Sequence, residues 1–156
     1  MRRKEREVTD RARIRDIILS CNCCRLGLWD GRQVYIVPLC FGYVEQGDQR
    51  VFYFHSARQG RKLDLIAQNG AAGFELDTGY ALVEGEQACS YSARYQSVIG
   101  TGRVSLVEDP EEQRFALQTI MSHTAGKAGW RFAPDMLRAV QVFRLEVETL
   151  TCKAHS

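Results

Sequence analysis

The sequence predicts a mainly β protein with flanking helices, built around a small antiparallel barrel of six strands. Six segments have the alternation, or the β-branched and aromatic content, that is typical of strands. Several of these segments are joined by connections of hairpin length, which favour antiparallel pairing. One predicted helix is inserted mid-chain and the others lie outside the strand series, whereas a doubly wound sheet would alternate strand and helix throughout.

An N-terminal helix is predicted at about residues 10–21. Thr9 or Asp10 can cap it, because a short side-chain oxygen there accepts a hydrogen bond from an amide of the first turn. Apolar residues at steps of three and four form one stripe that faces a core: Ile14, Ile17, Ile18 and Cys21. The barrel follows at about residues 23–151, and the chain length predicts that residues 1–156 form a single domain.

Residues 24–43 are predicted to form two strands around a tight turn. The turn is Asp30-Gly31, whose tolerance of positive φ suits a hairpin. Pro38 lies within the second strand and predicts an edge or a bulge, because proline has no N–H to donate to a ladder. A third strand follows at residues 49–55.

Two further helices are predicted, at residues 60–70 and 109–123. The first ends at Asn69-Gly70 and has three apolar residues on one face: Leu63, Ile66 and Ala67. The second has Asp109 as its cap and Pro110 at its first helical position. Its apolar residues include Phe115, Ile120 and Met121.

The remaining strands are predicted at residues 71–85, 95–109 and 139–150. Gly100 and Gly102 lie inside the second of these, which indicates bending or a close approach of two backbones. Alternating apolar residues predict that the last strand is half exposed: Val140, Val142, Leu145 and Val147.

Composition limits the classes of function. The net charge is +2, and basic and acidic residues are interleaved, which argues against a nucleic-acid-binding surface. No run of about 18 apolar residues could cross a bilayer, and the charged N-terminus lacks the apolar stretch of a secretory signal. A cytoplasmic location is therefore expected, where the six cysteines would stay reduced.

The segment YFHSARQGRKLDLI, residues 53–66, places Ser56, Arg61 and Lys62 where a strand gives way to a helix. A helix N-terminus offers unpaired amides and a partial positive charge to an anion. Arginine can donate two hydrogen bonds to phosphate oxygens, and lysine adds a point charge. The turn is interpreted as a phosphate site, with a solvated helix face as the alternative. The neighbouring residues 34–43 could face a flat heteroaromatic ring or be an ordinary core strand.

Three motifs in order carry a resemblance: residues 24–43, residues 53–66 and CSYSARYQSVIGTGRVSLVEDPEEQRFAL at residues 89–117. Together they resemble the flavin-binding split-barrel proteins related to pyridoxamine 5'-phosphate oxidase, and within them the nitroimidazole-resistance branch. The resemblance covers roughly residues 4–150. It implies a six-stranded split barrel that forms a homodimer, with FMN held in the two grooves between protomers.

The resemblance also implies roles for individual residues. The phosphate of FMN would lie against Ser56, Arg61 and Lys62. The remaining contacts would be Val37, Pro38 and Leu39 along the ring, Phe54 and His55 at its margin, Tyr95 and Ser97 at the ribityl chain, and Trp130 reaching the partner's flavin. One position departs from the pattern, because Cys40 stands where relatives commonly have an asparagine.

His55 ends the strand that points at the proposed site, so it is a candidate to hydrogen-bond a substrate or supply a proton; a satisfied surface histidine is the alternative. Cys21, Cys23 and Cys24 include a C-x-x-C spacing, but no second ligand pair follows, so no metal is expected and buried thiols are favoured. His123 is expected to be peripheral.

The predicted function is that of an FMN-dependent oxidoreductase acting on small molecules, with nitroimidazole reduction as the activity that the resemblance implies. Pyridoxamine phosphate oxidation is disfavoured, since a second phosphate needs a second basic cluster and none is evident in the sequence. A flavin or haem carrier or sensor on the same barrel is the non-catalytic alternative, because a fold alone does not decide function.

Overall fold

The computed structural model describes residues 3–155 and contains eight strands and four α-helices in that part of the chain. The strands are β1 (Glu7–Val8), β2 (Cys24–Trp29), β3 (Val34–Leu39), β4 (Gly42–Gln46), β5 (Gln49–Ala57), β6 (Ala71–Val83), β7 (Ser92–Val107) and β8 (Val140–His155). The helices are α1 (Arg11–Ser20), α2 (Arg61–Gln68), α3 (Pro110–Ala125) and α4 (Pro134–Ala139). None of these helices is both long and apolar enough to cross a bilayer.

All strands belong to one antiparallel sheet with the order β3-β2-β6-β7-β8-β5-β4, and β1 pairs with β8. A mainly β architecture with flanking helices is thus confirmed. The predicted count of six strands is wrong, since the described residues form eight. Within residues 3–155 no backbone pairing joins β3 to β4, so the sheet is not closed by hydrogen bonds.

The difference in count comes from two strands that were not predicted, β1 and β4. Residues 24–43 were predicted to contain two strands, but β3 ends at Leu39 and β4 begins at Gly42. β4 and β5 then pair through a two-residue turn in which Gly47 has a φ of 61°. Helix α3 packs directly on Gly42, so the chain must leave the line of β3 to reach it.

The helix caps follow the sequence prediction. Asp10 accepts a hydrogen bond from the amide of Arg13 at the start of α1, and Asp109 accepts one from Glu112 at the start of α3. All four predicted stripe residues of the first helix are buried: Ile14, Ile17, Ile18 and Cys21. Phe115 was placed among the apolar residues of α3 but is 49% exposed, and the buried residues are Ala116, Leu117 and Ile120.

Helix α2 ends as predicted, with the Asn69 amide bonded to the Leu65 carbonyl and Gly70 at a φ of 67°. Its buried face differs from the prediction, because Ala67 is exposed and Leu65 is buried with Leu63 and Ile66. The three leucine and isoleucine side chains pack on the first core cluster described next.

Two apolar clusters lie on opposite sides of β5. The first contains Phe52 and Phe54 together with residues of α1 and α2. The second contains Val51 and Tyr53 together with residues of α3. Because side chains alternate along a strand, His55 continues the row that faces α3, and Ser56 continues the opposite row.

Candidate functional site

The segment that leads from β5 into α2, residues 56–62, has the geometry expected of an anion site; we call it the α2 turn. Gly60 precedes the helix at a φ of 140°, and its carbonyl accepts hydrogen bonds from the amides of Leu63 and Asp64. No side chain of the described residues caps this helix. The first amides and the positive end of the helix dipole are therefore available to a ligand.

Arg61 forms an ion pair with Asp30, a partner that the sequence did not indicate. Its Nη2 donates to Asp30 Oδ2 at 2.7 Å, and its guanidinium carbon lies 4.9 Å from the centroid of the Tyr35 ring. The other oxygen of Asp30 accepts the amides of Gln33 and Arg32. These backbone hydrogen bonds lower the pKa of Asp30, with Arg61 adding to the effect. An ionised Asp30 thus fixes Arg61 against the β2–β3 hairpin.

Lys62 and Arg58 are the cations of the turn that have no carboxylate partner among the described residues, and Arg58 Nε donates to the carbonyl of Arg138. The Lys62 side chain is half-buried, and no carboxylate of residues 3–155 lies within 4.0 Å of its ammonium group. Ser56 is also half-buried, and its hydroxyl donates to the carbonyl of Ala57 at 2.8 Å. A phosphate held by Arg61 and Lys62 would meet one free ammonium and one guanidinium that already has a carboxylate partner.

Strand β3 lies beside this turn as the end strand of the sheet, so one of its edges pairs with no other strand of the described residues. This confirms the edge position that Pro38 predicted. Val37 and Leu39 pack on the first core cluster, whereas Pro38 is exposed opposite Arg25. The main chain of β3, more than its side chains, is what a flat ring could contact.

Phe54 does not present its ring to the surface. It is fully buried and stacks on Phe143 with 5.3 Å between ring centroids. Any contact from Phe54 to a ligand at the α2 turn would come from its main chain.

His55 lines a separate, largely apolar cavity of about 140 Å³ beneath α3 and α4. The other lining residues are Leu117, Ile120, Met121, Phe132, Met136 and Val140. His55 Nδ1 is buried and has no hydrogen-bond partner in the described part of the chain. Burial lowers the pKa of this imidazole, so the neutral form is favoured near neutral pH. An unpaired buried nitrogen is unusual and marks the cavity as a place for a small hydrogen-bonding group.

The pKa of His55 predicts a pH-dependent stability. Because the folded-state pKa lies below the unfolded value of about 6.5, the unfolded state binds more protons as the pH falls through that value. We expect the free energy of unfolding to decrease less between about pH 7 and pH 5 in His55→Gln than in the wild type, as measured by urea denaturation. Met121→Leu, a change in the same cavity without a titrating group, should keep the wild-type slope. Equal slopes for wild type and His55→Gln would contradict this assignment.

Tyr95 and Ser97 lie near the opposite end of β7 from the part that contacts α2. The Val104 amide donates to the carbonyl of Gly70, just after α2, whereas Tyr95 pairs with His155 near the end of β8. Within one chain, these predicted ribityl contacts are therefore not brought to the α2 turn. Tyr95 instead lines a polar cavity of about 220 Å³.

Trp130 lies in the connection between α3 and α4. Its amide donates to Gln118 Oε1 at 3.1 Å, its indole N–H donates to the carbonyl of Lys127, and the Lys127 ammonium lies 4.6 Å from the ring centroid. The ring is half-buried against its own chain. No contact with the α2 turn of the same chain is observed among the described residues.

The cysteines have the character of structural thiols. Cys21 and Cys24 are buried, and burial raises the pKa of Cys21 to about 12 and also raises that of Cys24. Within residues 3–155, no group of three or more histidine, cysteine or acidic side chains is arranged to hold a metal ion. Cys40 is exposed directly after β3.

His123 has a structural role. Its Nε2 bonds the carbonyl of Cys21 at 2.8 Å, and its ring packs on Phe41.

Comparisons with known proteins agree with the fold. A family described as Pyridoxamine 5'-phosphate oxidase matches residues 10–154. A proposed 5-nitroimidazole antibiotic resistance protein from Bacteroides thetaiotaomicron is 34% identical, with a TM-score of 0.80 over 94% of this chain and 85% of that chain. No curated protein matched the sequence.

Two more distant structures show the fold alone. An FAD- and haem-binding protein from Mycobacterium smegmatis is 18% identical, with a TM-score of 0.77 over 97% of this chain and 74% of that chain. An FAD-binding protein from Mesorhizobium loti is 19% identical, with a TM-score of 0.64 over 97% of this chain and 98% of that chain. Since the family match spans nearly the whole sequence and a relative shares a third of its residues, the chain belongs to the pyridoxamine 5'-phosphate oxidase family.

Proposed function

We propose that this protein is an FMN-binding flavoprotein that reduces small molecules, with nitroimidazoles as the first substrate class to test. The observation that carries the proposal is the α2 turn: an uncapped helix N-terminus with Arg61 and Lys62, next to the unpaired edge of β3. The 34% identical relative named for 5-nitroimidazole resistance supports the substrate class. Because all six cysteines are unpaired, the proposed compartment is the cytoplasm.

The residues of the turn fit a flavin phosphate. A Cβ placed at Gly60 would meet no atom within 4 Å, so the space in front of the helix is open. Lys62 offers a charge without a partner, and Arg61 keeps donors beyond the one bound to Asp30. We propose FMN as the flavin because the two cations of one turn could hold its terminal phosphate, and the ring would lie along the main chain of Val37, Pro38 and Leu39.

When bound, FMN would supply the electron transfer. The protein would hold the phosphate with Ser56, Arg61 and Lys62, orient the ring along β3 and exclude water. We propose His55 as a hydrogen-bonding residue for a small substrate group, since its imidazole is neutral near neutral pH and lines a cavity separate from the α2 turn. The unpaired Nδ1 in the cavity beneath α3 supports this role.

A spectroscopic experiment tests the proposal. The purified protein should bind FMN with a flavin absorbance spectrum, and heat should release FMN and not FAD. Anaerobic addition of NADH or NADPH should bleach that absorbance, and a 5-nitroimidazole should then restore it. A protein that ignores added FMN would contradict the proposal. Bleaching without reoxidation by the nitroimidazole would retain the flavoprotein but exclude this substrate class.

The alternative function is that of a non-catalytic carrier. One of the similar structures binds both FAD and haem, so a haem carrier is the form of this alternative to test. The His55 cavity of about 140 Å³ is smaller than the roughly 300–1,000 Å³ of typical ligand pockets, so it does not favour haem there. A Soret band after incubation with haemin, combined with no bleaching by either nicotinamide donor, would favour the carrier.

We also propose that two copies of the chain pair with FMN between them. Tyr95 and Ser97 are remote from the α2 turn in one chain, so contacts from them to the same flavin require a second copy. We propose that Trp130 reaches the partner's flavin as well. The outer face of β2, β3 and β6 is a suitable interface. Trp29, Val34 and Ile36 are 46%, 58% and 64% exposed there.

The centre of this sheet face contains glycines, which allows a second copy to approach closely. Gly27 pairs with both Ile36 and Gly73 in the sheet, so no side chain rises between the exposed apolar residues. At its margin, Arg25 forms ion pairs with Glu75 at 2.9 Å and with Asp77. An apolar centre with a charged rim is the usual anatomy of a stable interface, and a twofold axis would pair the face with itself.

Ile36→Asp is expected to weaken dimerisation by about tenfold or more, because it would bury a carboxylate on both sides of the axis. Sedimentation equilibrium over a range of protein concentrations measures the effect. Leu19→Asp is a matched control, since Leu19 is an exposed apolar residue on α1 outside this face. A monomeric wild type, or a variant that dimerises as well as the wild type, would contradict the proposed interface.

A further inference from the structure

A second basic cluster lies at the end of β7 that is remote from the α2 turn. It surrounds the cavity of about 220 Å³ that Tyr95 lines, and its charged side chains are Arg13 from α1 and Arg94 from β7. No clear second basic cluster was evident in the sequence. Arg13 and Arg94 are 81 positions apart in the sequence, so only the packing of α1 on the sheet brings them together.

The two guanidinium groups are uncompensated. No carboxylate of the described residues lies within 4.0 Å of either, whereas Arg11, Arg25, Arg61 and Arg144 all have such partners. None of the residues that line the cavity is acidic. Two positive charges in one cavity repel each other, so an anion between them would be stabilised.

His155 lines the cavity, and its ring is held by two hydrogen bonds, one of which binds a third cation, Arg6. Its Nδ1 lies 2.6 Å from the carbonyl of Ala93, which accepts only if Nδ1 carries the proton. Its Nε2 is then the acceptor for Arg6 Nη2 at 3.3 Å. Both ring nitrogens are thus engaged, and Arg6 is oriented toward the same region.

We propose that this cavity binds a phosphate monoester. A phosphate monoester carries a charge of about −1.5 to −2 near neutral pH, which matches two guanidinium groups better than a monovalent carboxylate does. The planar forks of Arg13 and Arg94 can each donate two hydrogen bonds to its oxygens. The Gln96 side chain and the Tyr95 ring complete the lining, and the volume leaves room for a small organic group beyond the phosphate.

This site is separate from the α2 turn. Residues Tyr95 to Val104 of β7 lie between them, a distance of roughly 30 Å along a strand that rises about 3.3 Å per residue. A single FMN bound at the α2 turn of the same chain cannot reach the cavity. Tyr95 is also proposed to contact the flavin of a second copy, so the test of this site uses Arg13 and Arg94, which have no role in the proposed flavin site.

Isothermal titration calorimetry of the full chain with phenyl phosphate tests the proposal, with phenyl sulfate as the monoanionic analogue. We expect phenyl phosphate to bind more tightly than phenyl sulfate, and both affinities to fall as the salt concentration rises. Arg13→Gln and Arg94→Gln should each weaken phenyl phosphate about tenfold, and Arg94→Lys should recover part of the loss. Arg114→Gln, at an exposed arginine of α3, should bind as the wild type does.

Absence of phenyl phosphate binding would overturn the proposal, as would unchanged affinity in both cavity variants. Circular dichroism melts identify any variant that fails to fold, and Arg94→Lys then serves as the test of the guanidinium fork. Loss of phenyl phosphate binding in an Arg61→Ala/Lys62→Ala variant, with the cavity variants unaffected, would place the ligand at the α2 turn and overturn the second site. FMN titrations of the cavity variants separate this failure from a failure of the proposed flavin site.

Discussion

Replacing Arg61 and Lys62 together by alanine is expected to weaken FMN binding about 100-fold or more. Charge-assisted hydrogen bonds contribute about 1.5 to 3 kcal/mol each, and a 100-fold loss corresponds to about 2.7 kcal/mol for the pair. The estimate is at the lower end because the Arg61 side chain is 49% exposed and already paired with Asp30. Quenching of FMN fluorescence during titration with the protein measures the affinity.

Riboflavin provides the sharpest control for this loss, because it has the same ring without the phosphate. Its affinity should be nearly the same in the wild type and in the double variant. Arg15→Ala/Arg114→Ala removes two exposed arginines from α1 and α3 and should leave FMN binding unchanged. If the double variant at Arg61 and Lys62 binds FMN normally, or loses FMN and riboflavin equally, the phosphate does not lie at the α2 turn.

Local signals made most of the elements predictable. Asp10 and Asp109 cap helices as expected, because capping depends on hydrogen bonds within one turn. The Asp30-Gly31 hairpin formed for the same reason, with Gly31 at a φ of 94°. Strand β4 was missed although Gly47 marks its turn, since the apolar residues before it read as a continuation of β3.

The candidate site was predictable only in part, because a sequence shows which groups exist and not which of them meet. In residues 56–62 the end of a strand, a glycine and two cations follow one another along the chain, so this part of the site could be recognised from the sequence. The pairing of Arg61 with Asp30, 31 positions away, depends on where the hairpin folds back. The cluster of Arg13 with Arg94 depends in the same way on how α1 packs, so no pattern in the chain indicated it.

These long-range contacts also explain why the predicted flavin residues separate into three places. His55 and Ser56 are adjacent in the chain but face opposite sides of β5, since side chains alternate along a strand. Tyr95 lies near the start of β7, whereas Gly70, just after α2, bonds Val104 near the other end of this 16-residue strand. A flavin site assembled from such residues would require a second copy of the chain, which is why the dimer and the flavin proposals depend on each other.

Gly100→Ala is expected to destabilise the protein by about 3 kcal/mol or more, which is at the upper end of what overpacking costs. Gly100 is fully enclosed where β7 passes between β6 and β8. An added Cβ would overlap the carbonyl oxygen of Thr149 and lie 2.5 Å from the ring of Phe74. The carbonyl belongs to the β8 main chain and cannot rotate away, so the sheet itself would have to shift. The two glycines, Gly100 and Gly102, predicted bending or such an approach of backbones.

Urea denaturation of Gly100→Ala and of Ser105→Ala compares the same new residue at two positions of one strand. Ser105 is exposed on β7, so an alanine there meets no such obstruction and should change stability by less than about 0.5 kcal/mol. Loss of stability in Gly100→Ala should bring a loss of FMN binding, because β7 connects the region that contacts α2 with the opposite end of the sheet. A Gly100→Ala protein as stable as the wild type would mean that β7 and β8 are farther apart than described, and the register between Gly100 and Leu150 would have to be revised.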